Sequence, residues 1–184
     1  MSQLLMEKGD LADVTEPALP DGYVLRNYRE GDEVGLSRVY TAAFLGCETE
    51  EDVRGRMVAH ACFTPARLFV LENEGHVVGT AAAWLEAADP GAGYVHMLGV
   101  NPDHRGKGLG KALTVATLHY TRNEGFTRQR LLTDDWRVPA LRLYLGLGYY
   151  PVYKDDTHPE RWEAIAEKLH RPEIVARAKD DRRR

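Results

Sequence analysis

The sequence predicts an α/β (α+β) fold in which a mixed sheet is flanked by helices. Short runs of strand-like alternation recur along the chain, separated by stretches whose apolar residues repeat at helical spacing. Their order reads β, α, α, β, β, β, α, β, α, β, with one helix appended. A three-strand meander followed by β-α-β-α-β makes a sheet whose faces need helices to cover them. At 184 residues, with 43% hydrophobic and 28% charged residues, the chain has the size and balance of one such domain with a substantial core.

Residues 1–20 are polar and end in Glu16-Pro17-Ala18-Leu19-Pro20, so they read as a flexible arm ahead of a single domain over 21–184. Tyr23–Tyr28 alternates as a first strand. Leu36, Val39, Tyr40, Ala43 and Phe44 share one face of a helix that Gly46 ends. Thr49 and Asp52 have the spacing of a capping box, opening a second helix with Val53, Met57 and Ala61 inward until Pro65 breaks it. Leu68–Glu72 and His76–Leu85 form a hairpin across Asn73-Glu74-Gly75. After a loop over Ala88–Gly93, Tyr94–Val100 is a further strand. A long helix with Leu109, Leu113, Ala116 and Tyr120 on one face then ends near Gly125. Arg130–Thr133 is a strand. Asp134 or Asp135 is placed to cap the next helix, whose first turn suits Pro139 and which runs to about Gly146. Tyr149–Tyr153 is a strand, and Thr157-His158-Pro159-Glu160 starts a helix that buries Trp162, Ile165 and Leu169. Pro172 interrupts that pattern, and Lys179–Arg184 reads as frayed charge.

Composition narrows the partners. A formal charge of −4 argues against nonspecific nucleic-acid binding and suits a cationic substrate. No apolar run approaches the roughly 20 residues of a membrane helix, and MSQLLMEKGD lacks the basic start and long apolar core of a signal peptide. Cys47 and Cys62 form neither a metal-ligand pattern nor a disulfide framework, as expected of free thiols in the cytoplasm. No metal is expected.

The chemistry concentrates in His104–Leu113, HRGKGLGKAL. Gly106, Gly108 and Gly110 alternate after an apolar run and open a helix, an arrangement that aims several backbone N–H groups at one place and binds phosphates well. Arg105, Lys107 and Lys111 add positive charge. The nucleotide-hydrolase pattern G-x-x-x-x-G-K-[ST] fails, because Arg105 replaces its first glycine and Ala112 its magnesium-binding hydroxyl. The dinucleotide pattern G-x-G-x-x-G fails because the glycines recur at every second position. What remains is R-x-x-G-x-G at Arg105, Gly108 and Gly110. Downstream stands Ala140-Leu141-Arg142-Leu143-Tyr144, followed by Leu147-Gly148-Tyr149.

Both motifs, in this order and in these structural settings, resemble the GNAT N-acetyltransferase superfamily, in architecture over about Tyr23–Tyr153. The resemblance implies a mostly antiparallel central sheet, with the strands Tyr94–Val100 and Arg130–Thr133 splayed to form an acetyl-CoA cleft. Main-chain groups of Leu98, Gly99 and Val100 would pair with the pantetheine arm, and Arg105, Gly106, Lys107, Gly108, Leu109, Gly110 and Lys111 would hold the pyrophosphate. Tyr144 occupies the position of the family's general acid, and the N–H of Leu98 that of an oxyanion donor. Where many members have asparagine, three positions before Ala140, this chain has Arg137.

An alkylamine acceptor must lose a proton, and two bases compete. His96 shares strand parity with Leu98 and Val100, which places it on their face of the sheet, and a histidine stands at the matching offset in the arylalkylamine branch. Glu86 ends the preceding strand. A buried core tyrosine, a structural strand histidine and a surface carboxylate are the plain alternatives for Tyr144, His96 and Glu86. Phe44, Cys47, Glu48, Trp84 and Tyr94 are the substrate-side candidates, with aromatics to frame an amine and Glu48 to pair with its charge. The leading expectation is acetyl-CoA-dependent N-acetylation of a small-molecule primary amine, without nucleic acid or membrane. Alternatives are a protein or peptide acetyltransferase and a noncatalytic acyl-CoA sensor. Homodimerisation through the C-terminal helix is a further expectation.

Overall fold

A computed structural model describes residues 2–182, apart from 45, 47, 86–88 and 90, and every side chain among them except that of residue 44. The strands are β1 (Leu4–Lys8), β2 (Tyr23–Asn27), β3 (Leu68–Asn73), β4 (His76–Leu85), β5 (Gly93–Val100), β6 (Gln129–Thr133), β7 (Tyr150–Tyr153) and β8 (Lys179–Asp180). The helices are α1 (Glu33–Phe44), α2 (Glu50–Val53), α3 (Leu109–Asn123), α4 (Val138–Gly146), α5 (His158–Leu169) and α6 (Glu173–Ala176). Among the described residues the strands form one eight-stranded sheet in the order β2-β3-β4-β5-β6-β1-β7-β8. Pairing is antiparallel except between β5 and β6 and between β7 and β8.

Strand alternation sorts the helices onto two faces. Leu68, Val70, Ala82 and Trp84 pack with Leu36 and Tyr40 of α1 and with Val53 and Met57. The residues between them point the other way, where Leu71 and Ala81 meet Leu109 and Leu113 of α3. The same side continues over Leu4, Met6 and Leu131, covered by Leu141 of α4 and by Trp162, Ile165 and Leu169 of α5. The apolar face of α5 is thus buried within the chain, as its period predicted.

The first twenty residues are not simply an arm. Leu4, Leu5 and Met6 are at most 4% exposed, in a strand that lies between β6 and β7 and is antiparallel to both. A strand covered on both faces needs no polar alternation, so its apolar run carries no period to read. Its partners, moreover, lie at residues 129–133 and 150–152. At the other end, Lys179 and Asp180, expected to be frayed, extend the sheet beside Val152 and Tyr153.

On the face opposite α3, Glu7 of β1 is 3% exposed. It accepts hydrogen bonds from Arg130 (2.8 Å), Tyr150 (2.6 Å) and Lys179 (3.1 Å), which tie four neighbouring strands together. Burial works to raise its pKa, but those three donors outweigh it and hold the carboxyl at about 2 instead of 4.5. A carboxylate with a depressed folded-state pKa stabilises the fold fully above its unfolded pKa and loses that contribution as pH falls through the folded one. Denaturant unfolding should therefore show stability falling by about 3 kcal/mol as pH drops from ~5 toward 2. Glu7→Gln should flatten that dependence, and an unchanged slope would place the acid sensitivity elsewhere.

Candidate active site

β5 and β6 separate early. They pair in parallel only through Gly93–Val95 and Gln129–Leu131. Beyond that point Leu132 and Thr133 keep their antiparallel pairing with Leu5 and Leu4 of β1, and Gly99 and Val100 keep theirs with Thr80 and Gly79 of β4. The result is the splay expected between these strands.

β5 runs on into the glycine loop. Gly106 and Gly108 both have φ of +78°, a conformation that L side chains rarely adopt, and a Cβ built on either would meet no atom within 4 Å. Gly108 caps α3, and the first intrahelical bond runs from Ala112 N–H to the Gly108 carbonyl at 3.1 Å. The amides of Leu109, Gly110 and Lys111 therefore have no acceptor within the helix, which leaves an electropositive helix end. The cations around it differ in their partners. Arg105 donates through Nε to the Val100 carbonyl (3.3 Å), whereas Lys107 turns to the Tyr23 hydroxyl (2.8 Å), which also contacts Nδ1 of His104 (2.9 Å). A Cβ at Gly110 would come within 3.3 Å of Leu143, so α4 stands directly beside this loop.

The middle of β5 carries a bulge. Thr80 pairs with Gly99 and Ala82 with His96, so Ala81 alone opposes Met97 and Leu98, and Met97 has φ of +50°. The extra residue reverses the alternation. His96 shares the α1 face with Ala82 and Trp84, while Leu98 and Val100 pack toward α3. The expected common face of His96, Leu98 and Val100 is corrected accordingly, because a one-residue insertion shifts every later side chain to the other side.

His96 and Met97 line a cavity of 390 Å³ between β4–β5 and the α1–α2 layer. Trp84, Tyr40, Val53 and Met57 supply its apolar surface, and Glu48, Asp52, Arg56 and His60 its polar groups. Two imidazoles pack on the indole of Trp84, with ring centres 4.9 Å (His60) and 4.8 Å (His96) away. Burial, and secondly the charge of His60, push the His96 pKa below 6.5, so His96 is neutral at neutral pH. The helical wall is fixed by the capping box: Thr49 Oγ1 accepts from Asp52 N–H at 3.1 Å and Asp52 Oδ2 from Thr49 N–H at 2.8 Å. After α2 the chain unwinds into a π-helical turn, Arg54–Val58, which keeps Met57 inward and leaves Ala61 exposed.

Tyr144 of α4 is 6% exposed and packs in the same cluster as Val95 and Leu98. Burial pushes its phenol up to about 12, against the opposing influence of Arg137. Arg137 itself pairs with Asp134 (2.9 Å) and lies 4.6 Å from the Trp136 ring centre. Neither aspartate caps α4 as expected. Arg137 occupies the cap position without a side-chain cap bond, Asp134 is taken by Arg137, and Asp135 by Arg161 of α5. A charged guanidinium binds a carboxylate more strongly than a backbone amide does.

Of the substrate-side expectations, the structure brings Glu48 and Trp84 to the cavity together with His96. Tyr94 instead donates its hydroxyl to Asp89 (2.9 Å), outside that lining. Cys47, Glu86 and the side chain of Phe44 lie outside the described residues. Tyr40 and Asp52 were read only as helix-face and capping residues, and Arg56, His60 and Met97 were not singled out by sequence. The i, i+4 pairing of Asp52 with Arg56 was legible as charge spacing, but nothing local marked His60. Among the described residues no group of three or more His, Cys, Asp or Glu is placed to hold a metal ion.

Residues 34–149 match the model of the Acetyltransferase (GNAT) family, a span containing the glycine loop, the bulged strand and α4. The chain belongs to the GNAT acetyltransferase family. It is 37% identical over 154 residues to a mycothiol acetyltransferase of Thermomonospora curvata, covering 79% of this chain and 51% of that protein. A mycothiol acetyltransferase of Thermobispora bispora is also 37% identical, over 72% of this chain and 48% of its own length. The chain thus spans about half the length of these curated relatives. A solved GCN5-related N-acetyltransferase from Sphaerobacter thermophilus shares the fold with a TM-score of 0.63 at 24% identity, over 82% of this chain and 49% of that one. GNAT acetyltransferases use acetyl-CoA as their acyl donor.

The imidazole packing of this GNAT domain gives a direct check. In a proton-NMR titration His96 should titrate below the ordinary histidine range, and His60→Ala should raise its midpoint by removing both cover and a neighbouring charge. A midpoint that stays put would remove His60 from the His96 environment.

Proposed function

We propose that the chain transfers an acetyl group from acetyl-CoA to a primary amine of a small molecule. One observation carries the reading: a single bulged strand serves both halves of the site. His96 and Met97 line the cavity, and Leu98–Val100 lead along the splay to the electropositive end of α3. The relatives named mycothiol acetyltransferase support a small-molecule acceptor.

In this reading the amides from Arg105 to Lys111 hold the pyrophosphate, and the main chain of Leu98, Gly99 and Val100 pairs with the pantetheine arm. The amine nitrogen attacks the thioester carbon; a C–N bond forms, the C–S bond breaks, the amine gives up one proton and the thiolate takes one. His96, neutral and on the acceptor wall, receives the amine proton directly or through water. The N–H of Leu98 steadies the oxyanion. Tyr144, protonated throughout the neutral range, donates to the thiolate as it develops. A phenol near 12 is a weak acid for that task, and the Arg137 charge acts to strengthen it. The site needs no metal. No helix among the described residues is long and apolar enough to cross a membrane. A cytoplasmic location belongs to the same proposal, supported by the free Cys62 thiol.

Amine-dependent release of thiol from acetyl-CoA, measured across a panel of primary amines, is the decisive assay. Release with at least one amine is expected, and none at all would favour a noncatalytic acyl-CoA sensor. Tyr144→Phe should lower kcat about 10²-fold with coenzyme A affinity nearly unchanged. Full turnover in that variant would return Tyr144 to a packing role.

A further inference from the structure

The carboxylates of the cavity and the strand that would carry the reaction stand on opposite walls. Glu48 precedes α2 and Asp52 lies within it, whereas His96 and Met97 belong to β5. Arg56 reaches both carboxylates, Glu48 at 3.0 Å and Asp52 at 3.4 Å, and its own side chain is 69% exposed while that of Glu48 is 16% exposed. Two carboxylates therefore share one guanidinium, which leaves one carboxylate charge in surplus between them. An ion pair with so exposed a partner is readily exchanged for another cation.

A nitrogen resting on these carboxylates is the wrong nitrogen to react. A neighbouring negative charge favours the protonated amine, and a protonated amine has no lone pair with which to attack. The nitrogen that attacks must instead sit neutral against β5, where His96 carries no charge. The same cavity also has apolar lining, to which Val53, Met57 and Trp84 contribute. Resting on the acetyl transfer proposed above, we infer that the acceptor is a diamine with an apolar spacer. One nitrogen enters neutral at His96 and Met97, the aliphatic or aromatic spacer lies against Val53, Met57 and Trp84, and the second nitrogen, still charged, replaces Arg56 on Glu48.

The test compares acceptors of matched length in steady-state kinetics of the intact chain with acetyl-CoA: 1-aminopentane, 1,5-diaminopentane and 5-aminopentanoate. The diamine should exceed the monoamine in kcat/KM by about tenfold, chiefly through KM. The amino acid should be the poorest of the three, because its far carboxylate meets Glu48 and Asp52. Glu48→Gln should bring the diamine-to-monoamine ratio toward one. Arg56→Ala, which removes the competing cation, should lower the KM for the diamine. A monoamine turned over as well as the diamine, a preference for the amino acid, or a ratio that neither substitution moves would overturn the diamine assignment and leave acetyl transfer standing. So would thiol release with other amines of the wider panel but with none of these three. No release with any amine would overturn the acetyl-transfer reading itself.

Discussion

The early end of β5–β6 pairing is the constraint on which the rest of this molecule depends. Backbone N–H and C=O groups do not give up sheet partners freely, because unpaired buried polar groups are costly. β6 can leave β5 because its other edge stays fully paired: all five of its residues, from Gln129 to Thr133, have partners in β1. β5 is held on its far side by β4 from Gly93 to Val100. The opening between the two strands is therefore flanked by continuous sheet on both sides, and the N-terminal strand that secures one side is the most distant in sequence from the residues it pairs with.

The bulge at Met97 then assigns the two sides of the opening different tasks. Without the extra residue, His96 would face α3 with Leu98 and Val100, and the α1–α2 cavity would lose its only described β5 imidazole. With it, one strand presents a polar group to the cavity and apolar side chains to the core under α3. Positive φ at a non-glycine residue is uncommon, and here it coincides with the switch of face. The helical wall is held independently, by the Thr49–Asp52 capping box and the π-helical turn after it. Arg161 links Asp135, beside α4, to the Ser2 carbonyl at the start of β1, so the appended helix braces both the N-terminal strand and the loop that leads to Tyr144.

The glycine loop was more legible in the sequence than the cavity lining, and the reasons are physical. Gly106 and Gly108 stand where the backbone takes positive φ, a demand that leaves few alternatives at those positions and is visible without any partner. The helices around Leu36, Leu109 and Trp162 announced themselves by period, and each buries the face that the period marked. β1 had no period because both its faces are covered, and its partners are more than a hundred residues away. The side of His96 was misread because a single inserted residue leaves composition unchanged while inverting direction. Asp134 and Asp135 looked like helix caps until the structure supplied two arginines to compete for them. The cavity wall was the least legible, since Glu48, Arg56, His60, Trp84 and His96 converge from three separate segments that only the folded chain brings together.

In the proposed arrangement one strand and the loop following it form a continuous donor site. Amide hydrogen exchange of the full chain, with and without acetyl-CoA, tests it most directly. Slowed exchange is expected at Leu98, Gly99 and Val100 and at the amides from Gly106 to Lys111, with β2 and α6 unaffected. Protection confined to other elements, or a glycine loop whose exchange is unmoved by saturating acetyl-CoA, would contradict it.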